Sequence, residues 1–279
     1  MRVFKFGGAS VKNADAVRNV AEIIKNYGQG KLIVVISAMG KTTNAMEAIV
    51  ESCAKDKSKV SELVKERSDF HIEIMSQLFS SDHPIFDEID AIFKNLEEYC
   101  MTCTVQNQAM IYDQVVSLGE VISTKIVEAF VKDSGLRSKW CDARKIIRTN
   151  GNFKDAKIDW EKTKELYKLN MSLDFNRDVD IAITQGFIGG TENGDTTTLG
   201  REGSDFSAGI LAFVSDSENV TIWKDVPGML NADPKWFDNT IKLDKISFRE
   251  AIELSYFGAS VIHPKTIKPL QNKTIPLFI

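Results

Sequence analysis

The chain has 279 residues, with 35 Lys and Arg against 39 Asp and Glu, for a formal net charge of −4. Its 43% hydrophobic and 27% charged residues can offset the entropy of ordering, which excludes a disordered or collagen-like chain. The mild acidity offers no general attraction to phosphate backbones, so nucleic acid is not an expected partner. The longest uncharged stretch, Tyr99–Tyr112, is 14 residues and contains Thr, Gln and Asn. A membrane-spanning helix needs about 20 mostly apolar residues, so no membrane partner is expected. The first residues lack the apolar run of a secretory signal. Four cysteines (Cys53, Cys100, Cys103 and Cys141) do not make a disulfide framework in so long a chain, and a reducing cytoplasm is expected.

In chain order, Val3–Phe6 reads as a short strand ending in Gly7-Gly8. A helix follows, with Val11, Val17, Val20, Ile23 and Ile24 at near-helical spacing. Leu32–Ile36 is apolar on both faces and β-branched, as expected of a buried parallel strand. Residues 42–133 read as almost wholly helical. One stripe runs Val60, Leu63, Val64, Ile74, Met75, Leu78; another runs Ile85, Ile89, Ile92, Phe93, Leu96, Tyr99, Cys100, Cys103, with Pro84 placed in its first turn. A third helix is expected over about 107–132. Strands resume near 138–141 and 179–184. Helix 206–214, strand 219–223, helices near 247–256 and 265–271, and a last strand 275–279 complete the order. The alternation implies an α/β fold with a largely parallel sheet.

Several motifs fail on inspection. Gly40-Lys41-Thr42 resembles a P-loop end, but the pattern requires Gly at position 35, which is Val35. Cys100-x-x-Cys103 has no second pair to complete a zinc site, and both residues fall on an apolar stripe, so they read as buried core thiols. His71, His83 and His263 are scattered; His263 before Pro264 reads as a helix-entry residue.

Three glycine-rich segments carry more. Lys5-Phe6-Gly7-Gly8-Ala9-Ser10 lies at the carboxyl end of the first strand, where ligands of parallel sheets bind and bare N–H groups can meet phosphate oxygens. Thr184–Thr191 and Thr196–Asp205 form a second cluster. In it Ser204 reads as the N-cap of helix 206–214, Arg201 suits a carboxylate, and Asp205 can orient a lysine or an ammonium. The third, Trp223–Lys235, carries two turn signals, Pro227-Gly228 and Asp233-Pro234, and is too long for a mere connection.

Together, KFGGAS (5–10), ISAMGKTTN (36–44), SLGEVIS (117–123), ITQGFIGG (183–190), TTTLGREGSD (196–205), DVPGMLNADP (225–234) and FGASVIHP (257–264) resemble the amino-acid kinase family, aspartate kinases in particular. The resemblance covers essentially the whole chain. It implies a three-layer α/β/α sandwich and one catalytic domain over 1–279, with a helical insertion at about 42–133. It implies transfer of the γ-phosphoryl group of Mg-ATP to the side-chain carboxylate of L-aspartate, giving 4-phospho-L-aspartate, the entry to lysine, threonine and methionine synthesis. Carried over by position, Lys5 and Asp205 are catalytic, with Gly7 and Gly8 beside the phosphates. Thr43, Glu120, Arg201 and Ser204 bind aspartate. Lys224, Asp225, Leu230, Lys235 and Ser260 fall at nucleotide-binding positions. ATP and Mg2+ are the expected cofactors, and a homodimer is allowed.

Lys224, Leu230 and Ser260 depart from the Thr or Ser, Tyr and Lys common in the family. Family members also continue into two regulatory ACT domains, so a catalytic unit without autonomous feedback inhibition is expected. The alternatives are a kinase of the same fold acting on acetylglutamate, glutamate or a nucleoside monophosphate, and a non-catalytic nucleotide- or amino-acid-binding module. Glu120 with Arg201 favours a free α-amino acid, because both of its charges would be matched.

Overall fold

The run Leu32–Ile36 carries no polar residue because both of its faces are covered. A computed structural model describes residues 1–104, 107–176, 178–233, 236–256 and 261–279, and makes this run β2 of a six-stranded sheet. In space the strands are β3 (Ser138–Cys141), β4 (Ile181–Gln185), β2, β1 (Arg2–Phe6), β7 (Asn219–Trp223) and β8 (Leu277–Phe278). Every neighbouring pair is parallel. A separate antiparallel pair joins β5 (Ile188–Gly190) to β6 (Thr196–Thr198).

The strand pleat sorts side chains into two cores. Phe4, Val34 and Ile183 point into a layer with α1 (Ala14–Tyr27), α2 (Thr42–Lys55), α3 (Val60–Leu78), α4 (Ile85–Thr102) and α5 (Gln108–Asp133). Val3, Ile33, Ala182 and Ile222 point the other way, against α7 (Gly203–Ser215) and α9 (Pro264–Lys273). α6 (Trp160–Tyr167) and α8 (Phe248–Tyr256) complete that second layer. The three-layer sandwich and its parallel sheet are as expected.

Helix starts follow local chemistry. The Asn13 side chain accepts from the Ala16 N–H at 2.9 Å to begin α1, and Asn107 accepts from the Met110 N–H at 3.1 Å to begin α5. His263 caps α9 through its Nδ1, which accepts the Lys265 N–H at 3.1 Å, so the helix-entry reading holds. His71 is fully buried on α3, and desolvation pushes its imidazole down to about 4, as for a neutral core residue.

Five expectations need correction. α7 begins at Gly203, so Ser204 lies in its first turn and the capping position belongs to Glu202, in the left-handed region at φ 54°. Gly200 (φ 72°) and Glu202 turn the chain before Ser204 is reached. Pro84 precedes α4 instead of lying within its first turn. Helix α6 and the β5–β6 pair are additional elements, and the last strand shrinks to Leu277–Phe278. Finally, Cys100 is buried as expected but is not a free thiol. It is joined to Cys53 in a disulfide, because α2 and α4 pack with these Cα atoms 5.2 Å apart. Cys103 and Cys141 are free. Among the described residues, no helix is long and apolar enough to cross a membrane.

The helical layer depends on side chains such as Phe93 on α4, which is 3% exposed. Phe93→Ala should cost about 3–5 kcal/mol by leaving a cavity, read as a lowered urea midpoint at unchanged slope.

Candidate active site

The strand register brings four strand ends level. Phe6 of β1 lies beside Ile36 of β2 and Trp223 of β7, and Ile36 lies beside Gln185 of β4. The chain leaves β1 into the α1 layer, whereas it leaves β7 toward α8 and α9 in the opposite layer. Connections therefore diverge between β1 and β7, and the crevice at the carboxyl ends of such strands is where open parallel sheets bind ligands.

The loops at this edge interlock backbone to backbone. The Gly40 N–H donates to the Gly8 carbonyl at 3.0 Å, and a Cβ on Gly8 would lie 2.6 Å from the Ala38 carbonyl oxygen. Gly186, after β4, admits the first turn of α7 in the same way: a Cβ there would lie 2.6 Å from Ser204 Cβ. These contacts bring the N-terminus of α7, with its unsatisfied N–H groups and positive dipole end, to the cleft floor.

Asp205, in that first turn, is 1% exposed. Lys5 Nζ lies 2.6 Å from its Oδ1 and Lys224 Nζ 3.1 Å from its Oδ2. The approaches are ion pairs and fall outside hydrogen-bond geometry for the carboxylate. Lys224 also donates to the Val261 carbonyl at 2.5 Å. Lys5 is the penultimate residue of β1 and Lys224 lies just beyond β7, so the carboxylate joins the two strands that flank the crevice. Two ammonium groups against one carboxylate leave the cluster with an excess positive charge, suited to a ligand anion.

Glu120 on α5 is buried, at 3% exposure. Burial pushes its carboxyl up to about 8, against the Ala38 N–H and the Lys5 charge, which both favour the ionised form. Its Oε2 has no hydrogen-bond partner among the described residues.

Lys5, Gly8, Thr43, Glu120, Arg201, Ser204 and Asp205 line one cleft of about 510 Å³. Gly7 lies just behind it, with the position of a Cβ 3.5 Å from Lys5 Nζ. Lys224 reaches the cluster through Asp205 and does not line the cleft. Asp225 is exposed and Leu230 half-buried, pairing with Lys242, and neither lines the cleft. Lys235 and Ser260 lie outside the described residues.

Sequence reading missed Asp113, Tyr112 and Lys154. Asp113 is fully buried on α5 and accepts from the Lys154 N–H at 3.1 and 3.0 Å, from the Thr198 N–H at 2.8 Å and from the Thr198 hydroxyl at 2.7 Å. Burial raises its carboxyl above the usual range, opposed by these donors. The available signal was an acid on the buried face of an apolar helix. Tyr112 and Lys154 join the cleft wall.

The chain matches the amino acid kinase family over residues 1–279. It belongs to that family. The chain is 34% identical over 277 residues to the lysine-sensitive aspartokinase 3 of Escherichia coli strain K12, covering 99% of this chain and 60% of that relative. It thus spans about three-fifths of the relative's length. Its structure resembles that of E. coli aspartokinase III in complex with aspartate and ADP (R-state), with a TM-score of 0.91 at 33% identity over 99% of this chain and 61% of the other. It also resembles the aspartate kinase of Clostridium acetobutylicum, with a TM-score of 0.79 at 26% identity over 99% and 58%. The parallel sheet with helices on both faces is therefore the amino acid kinase fold.

The buried Glu120 links the cleft to stability. Its ordinary value is 4.5 and its folded value about 8, so between these pH values the folded state holds a proton that the unfolded state has lost. Stability from this group falls as pH rises from 4.5 to 8. Melting curves at pH 6 and pH 9 should show a larger loss for the wild type than for Glu120→Gln. Parallel losses would show that Glu120 ionises as it does in water.

Proposed function

We propose that the protein transfers the γ-phosphoryl group of ATP to the side-chain carboxylate of L-aspartate, forming 4-phospho-L-aspartate and ADP. This acyl phosphate would feed lysine, threonine and methionine synthesis. The observation that carries the reading is the pairing, in one cleft, of an unpartnered buried carboxylate oxygen on Glu120 with the Lys5–Asp205–Lys224 cluster. The first suits a substrate ammonium, the second a transferring phosphoryl group. The complex of E. coli aspartokinase III holds aspartate and ADP.

The acceptor carboxylate is already ionised at neutral pH, so the reaction needs no general base. One carboxylate oxygen forms a bond to the γ-phosphorus while the bond to the β–γ bridging oxygen breaks, and ADP leaves. Catalysis then rests on alignment and charge stabilisation. Lys5 would meet the equatorial phosphoryl oxygens, and Lys224 would add a second positive charge from beneath. Asp205 would fix both ammonium groups before substrate arrives, so little reorganisation is needed. Gly7 and Gly8 would supply N–H groups to the phosphates. Among the described residues no group of three His, Cys, Asp or Glu side chains could hold a metal ion, so Mg2+ would arrive with the nucleotide and would offset its phosphate charge. Asp225, Leu230, Lys235 and Ser260 keep their assignment to the nucleotide side, and residues 1–279 are read as one catalytic domain.

On the amino-acid side, Glu120 would take the ammonium, with Thr43 beside it, while Arg201 and Ser204 would take the α-carboxylate. A buried carboxylate oxygen without a partner favours a free ammonium over the amide of an acetylated amino acid.

A hydroxamate assay for acyl phosphate, with aspartate, glutamate and acetylglutamate offered in parallel, tests the reading. Aspartate should be the preferred acceptor, and Lys5→Ala should lower kcat on the order of 10²–10³-fold in a folded protein. Turnover of acetylglutamate or glutamate in preference to aspartate would reject it.

A further inference from the structure

Lys154, like Glu202, lines the cleft from a backbone position that runs against the ordinary preference of its residue type. Its φ is 70°, in the left-handed region where a residue with a Cβ is disfavoured. Its N–H is held by both oxygens of Asp113, at 3.1 and 3.0 Å. Asp113 is itself fully buried and uses its remaining bonds on Thr198, the last residue of β6 and the start of the turn toward Arg201. One buried carboxylate thus fixes the positions of Lys154 and of the segment that carries Arg201.

The two segments also touch. The Lys154 carbonyl oxygen lies 3.3 Å from where a Cβ on Gly200 would stand, and Gly200 immediately precedes Arg201. Lys154 and Arg201 are both exposed and both line the cleft. Among the described residues, neither has a carboxylate within ion-pair distance. Lys154 Nζ rests 4.3 Å from the centre of the Tyr112 ring, whose hydroxyl donates to Glu47 at 2.8 Å. A cation parked on an aromatic face at a cleft wall is held ready without being neutralised.

The charges of the cleft can be matched to those of the ligand. Lys5 and Lys224 are engaged by Asp205, and Glu120 provides for one ammonium. Arg201 and Lys154 remain as cations on neighbouring segments of the wall, neither ion-paired among the described residues, although the Glu202 carboxylate lines the same wall. An α-amino acid whose ammonium is drawn to buried Glu120, and whose side-chain carboxylate is directed to the Lys5 cluster, leaves its α-carboxylate for that wall. We propose that Lys154 is a substrate-specificity residue that holds the substrate α-carboxylate together with Arg201, the two cations forming a clamp. The proposal rests on the amino-acid substrate inferred above and adds the group that selects it.

The test compares L-aspartate with its α-amide, which keeps the ammonium and the reacting carboxylate but lacks the α-charge. Steady-state acyl phosphate formation is measured for wild type, Lys154→Ala and Lys154→Arg. Lys154→Gly is included because glycine suits the left-handed backbone, and melting curves verify that each variant is folded. In Lys154→Ala and Lys154→Gly, KM for aspartate should rise about tenfold with little change in kcat, while KM for the α-amide stays near the wild-type value. Lys154→Arg should restore most of the preference for aspartate. Equal changes for both substrates, or none, would overturn the proposal. Failure of the underlying reading would show separately, as a wild type that forms no acyl phosphate from aspartate. Calorimetric titration of aspartate into wild type and Lys154→Gly would then decide: an unchanged Kd overturns the clamp, and a Kd weakened about tenfold supports it.

Discussion

The site is organised by one carboxylate that touches two lysines. Asp205 is buried on the first turn of α7, and an isolated buried charge would be expensive. Lys5 and Lys224 compensate it from opposite sides. Lys5 belongs to β1, Lys224 follows β7, and α7 packs beneath both strands. The cluster can form only if the strands are in register and if Gly186 lets the first turn of α7, at Ser204, approach the end of β4. Much of the sheet's architecture is therefore a condition for this single contact.

Glu120 lies in the same cleft under the opposite condition. Among the described residues no ammonium lies at ion-pair distance from it, and burial pushes its carboxyl up to about 8. One buried acid has its cations in place, and the other keeps an unpartnered oxygen. Within one cavity the protein thus offers a prepaired cationic cluster and a receptor for a cation. A substrate carrying an ammonium and an anionic reacting group satisfies both. Binding would draw Glu120 toward its ionised form, so the cost of its burial is relieved when the site fills.

Much of this was legible in the sequence, for definable reasons. Leu32–Ile36 announced a strand covered on both faces, and the helical stripes from Val60 to Cys103 announced a layer. Lys5, Glu120, Arg201 and Asp205 stood in motifs specific enough to be placed in one cleft. What escaped depends on tertiary geometry. The start of α7 was set by left-handed Glu202 and Gly200 and not by the capping preference of Ser204. Thr196–Thr198 is too short to announce a strand, although it pairs with Ile188–Gly190. Cys53 and Cys100 are 47 residues apart, and their pairing follows from how α2 meets α4. The contact of Lys224 with Asp205 requires the β1–β7 register, which no local pattern shows. Asp113 was hidden because nothing in α5 alone reveals that its acceptors would be used by Lys154 and Thr198.

Replacing Asp205 with asparagine tests the account most directly, because it preserves shape and removes the charge that gathers the two lysines. The measurement is kcat for acyl phosphate formation from aspartate and ATP, with circular dichroism and a melting curve on the same sample. A folded Asp205→Asn protein whose kcat is reduced on the order of 10²-fold or more is the predicted result. A folded variant that retains kcat within about threefold of wild type would contradict the central role of this carboxylate.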